Sequence, residues 1–409
     1  MKRTFVFLAA ILGFAAVARA ADTIKIAHID PQSGPFALQG QSGSRHIQKA
    51  IDEINARGGV LGGVKLELVT FDNKSSPQDS LIALKQATDQ GIRYVTQGNG
   101  SHVAHALTEA VLKYNQRNPG KEILYLNHAA IDPALTNDKC NFWHFRFDAN
   151  VDMKIDALTS AIAARKEIRK VYLINQDYAY GQSVQRVSRE MLAKKRPDIQ
   201  IVGDELHPIG KVKDFAPYVA KIKASGADTV LTGNWGNDLA LLIKAAEDAG
   251  LKANFYTNYA YLVGTPRAFG ASGAERVKTV ASWAPNLPGY PLEKYYLDYK
   301  NRYKEDWGFI PIKYAIDMWA LAIDKAGSAD PLKVARALEG LRYDGGAGEV
   351  WMRPDDHQLM EPLFVSTFTK AGRQGVKYDA DDTGYGWKTE VRIDAKDNIL
   401  PTTCKMERP

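Results

Sequence analysis

The feature that most constrains this chain is a strand–helix alternation written twice. From Thr23, short runs rich in β-branched and aliphatic residues alternate with longer segments whose apolar residues recur three and four apart. The first series reads as strand 23–29, helix 39–57 ended by Gly58-Gly59, strand 64–71, a helix opened by Ser76-Pro77 and running to Gln90, strand 94–96, a helix from Ser101, and strands 123–126 and 142–147. The second reads as helix 151–164, strand 170–174, helix 182–195, strand 201–206, helix 214–224, strand 229–232, helix 238–249 and strands 254–257 and 277–282. Residues 283–289 read as a linker, before helices 292–307, 312–325 and 332–340 and strands near 349–352 and 363–369. Such alternation makes parallel sheets with helices on both faces. At 409 residues the chain is also too long for one core. The pattern therefore predicts an α/β protein of two doubly wound, Rossmann-like lobes.

The first residues stand outside that pattern. Lys2 and Arg3 form a basic start, 5–17 an apolar run too short to span a bilayer, and Ala18-Arg19-Ala20 a small-residue cleavage site. The expectation is a signal peptide over 1–20, cleaved after Ala20, and a periplasmic mature chain. No Cys follows the apolar run, so no lipid anchor is indicated. In an oxidising compartment the even count of two cysteines, Cys140 and Cys404, favours one disulfide, with two free buried thiols as the alternative. The formal charge is +6, of which Lys2, Arg3 and Arg19 supply half. No basic block points to nucleic acid.

Catalytic signatures are absent. There is no G-x-S-x-G and no H-E-x-x-H. The glycine-rich stretch 58–65 places Val64 where a phosphate loop needs Lys, and Gly98-Asn99-Gly100 lacks the third glycine of a dinucleotide fingerprint. His102 and His105 share a helical face without further ligands at metal spacing. No catalytic residue, metal or cofactor is expected.

One stretch does suggest a site. Tyr94–Thr96 ends a buried strand, Gln97–Gly100 is a turn, and Ser101 reads as the N-cap of the following helix. Strand, glycine turn and helix start make an anion cradle, able to hold a carboxylate without Lys or Arg. An ordinary capped turn is the other reading. Open α/β sheets bind ligands beyond the carboxyl ends of their strands. The corresponding loops here lie around Ser101 and His102, Ala129, Tyr180, Trp235 and Tyr259.

The whole mature length resembles the periplasmic solute-binding proteins of branched-chain amino acid (leucine/isoleucine/valine-type) ABC importers, the type I periplasmic binding protein fold. The resemblance is carried by Ile24-Lys-Ile-Ala27 with Ser33-Gly-Pro35, Ala50–Gly59, Asp72-Asn73 with Ser76-Pro77, Asp177 with Tyr180-Gly181, Lys213-Asp-Phe215 and Ala245–Gly250. It implies two lobes joined by three crossovers near Phe147, Ser282 and Glu361. Lobe 1 is then 21–147 plus 283–361, and lobe 2 is 148–282 plus 362–409. It also implies a ligand held between closing lobes and delivered by a monomer to a membrane permease.

Carried over by position, the resemblance gives Ser101 to a ligand carboxylate, the Ala129 backbone to an ammonium group, and Tyr180 and Trp235 as aromatic walls. Two positions depart: Ile131 stands where the family has a Thr, and Tyr259 where it has the acidic partner of the ammonium. Asp132 either substitutes for that partner or caps the turn at Pro133. With Tyr178 and Tyr261 the loops are rich in rings, which suit flat apolar bodies. The expected ligand is a small amino acid of branched-chain type or a related apolar or aromatic carboxylate. The alternatives are a ligand-sensing receptor of the same fold and an exported hydrolase.

Overall fold

The structure, a computed structural model, describes residues 23–287, 289, 291–373 and 375–409. The expected signal peptide with its cleavage site, and Pro288 of the expected linker, lie outside the described residues. The first series folds as β1 (Thr23–Asp30), α1 (Ala37–Ala56), β2 (Lys65–Asp72), α2 (Pro77–Asp89), β3 (Tyr94–Gln97), α3 (Ser101–Arg117), β4 (Leu124–Asn127) and β5 (His144–Arg146). These strands form an all-parallel sheet in the order β2-β1-β3-β4-β5. Its central strands are short and buried along their whole length, as strands covered by helices on both faces must be.

The second series gives α4 (Val151–Ala163), β6 (Lys170–Gln176), α5 (Ala179–Lys195), β7 (Gln200–His207), α6 (Ala216–Ala224), β8 (Thr229–Thr232), α7 (Gly236–Asp248), β9 (Asn254–Thr257), α8 (Thr265–Phe269) and β10 (Val277–Ala281). The chain then forms α9 (Glu293–Tyr303), α10 (Ile310–Ala326), α11 (Pro331–Leu338) and β11 (Arg342–Asp344), β12 (Glu349–Met352) and β13 (Leu359–Met360), which make a small antiparallel sheet. β14 (Leu363–Lys370) and β15 (Tyr385–Ile393) return to the second sheet, whose order is β15-β14-β10-β9-β8-β6-β7. It is parallel from β7 to β10 and antiparallel across β14 and β15. The sequence reading has no strand over β15, because glycines and aspartates crowd the residues before it.

Local chemistry explains several helix starts. Ser76 accepts a hydrogen bond from Asp79 N with Pro77 at the first helical position, Asn150 accepts from Met153 N, and Asp330 accepts from Leu332 N and Lys333 N. Several starts differ from expectation by one to three residues, and two of these differences bear on the site. Ser101 is not the N-cap of α3: Gly100 takes that place with φ of +96°, a conformation that glycine adopts without strain. Ser101 is the first helical residue instead. α5 begins at Ala179 rather than 182, which puts Tyr180 in its first turn.

The chain passes between the two sheets after β5, after β10 and before β14. The first and third passages are fastened together by direct hydrogen bonds. Arg146 and Gln358 share a β-bridge and a 2.7 Å side-chain hydrogen bond. Gln358 also donates to the Asp148 carbonyl, Ala149 N donates to Glu361, and Asp148 forms an ion pair with Lys154 at 2.8 Å with neither side chain exposed. The C-terminal residues make a further passage. After β15 they return toward the five-stranded sheet, where Cys404 is bridged to Cys140. Thr402 Oγ1 donates to the Thr136 carbonyl, Thr403 N donates to Asn137 Oδ1, and Arg408 pairs with Glu339.

The bridge closes a loop of 264 residues in sequence separation. Cys140→Ser with Cys404→Ser is expected to lower the unfolding free energy by about 2–5 kcal/mol. Urea unfolding of the double variant beside the oxidised parent measures the difference.

Candidate functional site: a ring-lined cleft between the sheets

The loops that follow β3, β4, β6, β8 and β9 all face one cleft, which encloses about 760 Å³ of space open in part to solvent. Ser101, Ala129, Ile131, Tyr180, Trp235 and Tyr259 line it. So do residues that the sequence reading did not single out for the site: Gln39, Ser42 and His46 on α1, His128 beside Ala129, and Phe309 before α10. His128 obeys the same strand-end rule as its neighbour. Ser42 and His46 are polar positions four apart on the buried face of α1, which was a usable signal.

His102 and Asp132 are not among the lining residues, and each has polar atoms engaged elsewhere. His102 Nε2 lies 3.0 Å from the Ser75 carbonyl, and its ring meets Tyr178 edge-on. Asp132 caps the turn at Pro133 by accepting from Ala134 N, and its other oxygen accepts from Ser183 on α5.

The anion end of the cleft is built from backbone. Val103 N and Ala104 N make the first hydrogen bonds of α3, back to Gly100 O, so the amides of Ser101 and His102 precede the helical ladder. Ser101 Oγ accepts from Asp132 N at 3.3 Å. With that lone pair used, its hydroxyl hydrogen is free to donate. The loop beneath is fixed by Asp30, which is fully buried. Asp30 accepts from Asn99 N at 2.9 Å, from Gly98 N, and from His28 at 2.9 Å, with His128 Nε2 at 3.4 Å. Burial pushes the Asp30 carboxyl up, but hydrogen bonds from His128 and His28 outweigh it and hold it well below the usual range. The two histidine nitrogens and the carboxylate are close enough to suit a metal ion. The same atoms are already joined to one another and to the loop amides by hydrogen bonds. Gly98 is held close: a Cβ there would lie 2.4 Å from the His128 ring.

The remaining walls are mostly aromatic. Trp235 stacks on Phe36 with centroids 4.2 Å apart and donates its indole N–H to the Tyr178 hydroxyl. Tyr180 receives a hydrogen bond from Asn258. The Tyr259 hydroxyl donates to Asp148 at 2.8 Å and lies 3.4 Å from the Ala129 carbonyl. Phe36–Trp235, Tyr259–Ala129, Ser183–Asp132 and His102–Tyr178 join loops of one sheet to loops of the other across the cleft.

Comparison with known proteins gives one direction. A family described as periplasmic binding protein matches residues 23–373. The chain is 33% identical over 405 residues to the Leu/Ile/Val-binding protein homolog 4 of Brucella melitensis, covering 96% of this chain and 95% of that one. It superposes with a TM-score of 0.85, at 33% identity, on the closed leucine-, isoleucine-, valine-, threonine- and alanine-binding protein of Brucella ovis, covering 95% of this chain and 100% of that one. It shares the fold, at a TM-score of 0.78 and 17% identity, with an ABC-transporter solute-binding protein of Rhodopseudomonas palustris BisB5 in complex with 3,4-dihydroxybenzoic acid, covering 91% and 98%.

The histidines around the cleft and beneath its loops set a pH dependence. Burial lowers the pKa of His46 to about 4, and also lowers those of His102, His128, His144 and His357. Each therefore binds its proton more readily in the unfolded chain, near the ordinary value of 6.5. Stability is complete above that value and lost as pH falls through it toward about 4. Urea midpoints are expected to drop between pH 7 and pH 5, and His46→Gln to flatten part of that slope.

Proposed function

The chain belongs to the periplasmic binding protein family, and on that premise we propose that it is the substrate-binding component of an ABC importer. It captures a small amino acid of branched-chain type, or a related apolar or aromatic carboxylate, by closure of two lobes and delivers it to a membrane permease. The observation that carries the reading is the convergence of five strand-end loops on one cleft, with the first-turn amides and hydroxyl of Ser101 at its anion end.

The lobes are those read from the sequence, 21–147 plus 283–361 and 148–282 plus 362–409, with the bridged residues near Cys404 packed on lobe 1. The ring and hydrogen-bond contacts across the cleft are then contacts of the closed form, broken and remade as the hinge at the three passages flexes. Ser101 donates to the ligand carboxylate, the Ile131 side chain and the rings of Tyr180, Trp235 and Tyr259 enclose its body, and His102 and Asp132 support the loops from behind. The protein acts as an exported monomer, released from its signal after Ala20, and as a binder rather than an enzyme.

Ser101→Ala tests the anion end. A hydrogen bond to a charged group is worth about 1.5–3 kcal/mol. The variant is therefore expected to stay folded, with a modestly lower melting temperature because Asp132 N loses its acceptor, and to bind its carboxylate ligand about 10–100-fold more weakly. Calorimetric titration measures it, and unchanged affinity removes Ser101 from the site.

A further inference from the structure

The charge balance of the cleft narrows the ligand, on the reading that the cleft captures a small carboxylate. We propose that the ligand is a carboxylate lacking an α-ammonium group, with an apolar or aromatic body.

Four helices begin at the cleft: α3, α5, α7 and α10, with N-cap residues Gly100, Tyr178, Trp235 and Phe309. None of these four residues caps its helix with a side chain, so the positive ends are left to the cleft. Among the described residues no Lys or Arg lines the cleft, so the attraction for a negative group comes from backbone and from the Ser101 hydroxyl.

Nothing comparable receives a cation. Among the described residues the one carboxylate on the wall is Asp306, and both its oxygens are occupied. One takes Lys300 at 2.8 Å and the Tyr296 hydroxyl at 3.1 Å; the other takes Asp381 N at 2.6 Å. Asp132 spends its oxygens on Ala134 N and Ser183. Asp148 is paired with Lys154 and takes the Tyr259 hydroxyl. That same hydroxyl lies against the Ala129 carbonyl. A neutral O–H thus fills the place where an ammonium would need an acceptor and a negative charge. Burying an ammonium without either is costly.

The Tyr259 ring does not replace the missing anion. Aromatic walls can hold a cation by its attraction to their faces. The Tyr259 ring is already under Lys154, whose Nζ is 4.3 Å from its centroid, and a second cation on that ring would meet a like charge. At the other end, the His46 ring is 4% exposed and lines the cleft, and its Nε2 has no partner within the protein. Nδ1 carries the hydrogen, since it lies 2.9 Å from the Ser42 carbonyl. Nε2 is then an uncharged acceptor, which disfavours a carboxylate beside it and offers a ligand N–H an acceptor but no negative charge.

Matched pairs test the inference on the mature protein stripped of endogenous ligand: leucine against 4-methylpentanoate, and phenylalanine against 3-phenylpropanoate, with glycine betaine as a zwitterionic probe whose quaternary ammonium needs no hydrogen-bond acceptor. Calorimetric titration is expected to show the acid of at least one pair binding about 100-fold or more tighter than its amino acid, and no binding of the betaine. An amino acid binding as tightly as its acid, or the betaine binding tighter than every acid, overturns the inference while leaving solute capture intact. Failure of every probe to bind overturns both.

Discussion

Asp148 and Lys154 form an ion pair with no exposed surface at the point where the chain leaves the five-stranded sheet. Two desolvated charges are tolerable only when each is fully partnered. Here the partners come from all around the crossing. Gln358 reaches the Asp148 carbonyl from the third passage, and Tyr259 reaches its carboxylate from the strand-end loop of β9. Glu361, beside them, accepts from Ala149 N, and burial together with the neighbouring Asp148 carboxylate pushes its own carboxyl well above the usual range. The pair therefore ties the passages to each other and one cleft ring to both. Removing one partner leaves an uncompensated buried charge, at a cost of about 3–5 kcal/mol.

A second buried carboxylate does for the anion end what Asp148 does for the crossing. Asp30 ends β1 and organises the loop after β3 through the amides of Gly98 and Asn99. Its histidine partners are fixed in turn, His28 by Ser44 and His128 by Thr96. The loop is thus set from beneath by a charge that never meets solvent. Its upper side is left to the α3 terminus and the Ser101 hydroxyl, so the cleft is preorganised where a negative group would sit.

How much of this was legible follows from which residues carry the signal. The central strands were readable because helices on both faces make them continuous apolar runs, as in Tyr94-Val-Thr and Leu124-Tyr-Leu. The strand-end rule placed Ala129, Tyr180, Trp235 and Tyr259 in loops that now face one cleft. The start of α5 was not legible, since Tyr178 offers no capping side chain. The capping of α3 was assigned to the wrong residue because Ser is the better cap by type, whereas Gly100 meets the backbone angle and Ser101 Oγ is drawn to Asp132 N. The polar pair Ser42 and His46 marked the buried face of α1, but the sequence could not show that α1 and the residues before α10 meet to complete the wall. Their approach depends on the packing of α1 against α10 rather than on any local pattern. The bridge was a matter of count and compartment, and what it joins emerges only from the fold.

That junction bears on how the two sheets can move. Three passages alone would let them turn about one edge. The residues after β15 add a fourth, pinned to the five-stranded side at Thr136, Asn137, Cys140 and Glu339. A hinge with one covalent strap still flexes, but only along motions that keep Cys140 and Cys404 with Cα atoms 5.7 Å apart. The strap holds residues 402–404 beside Asn137, close in sequence to Asp132. Asp132 also accepts from Ser183 on the other side of the cleft. Opening therefore separates Asp132 from Ser183 while the strap stays in place, so the motion available to the cleft is set jointly by the buried pair at the crossing and by the tail that spans it.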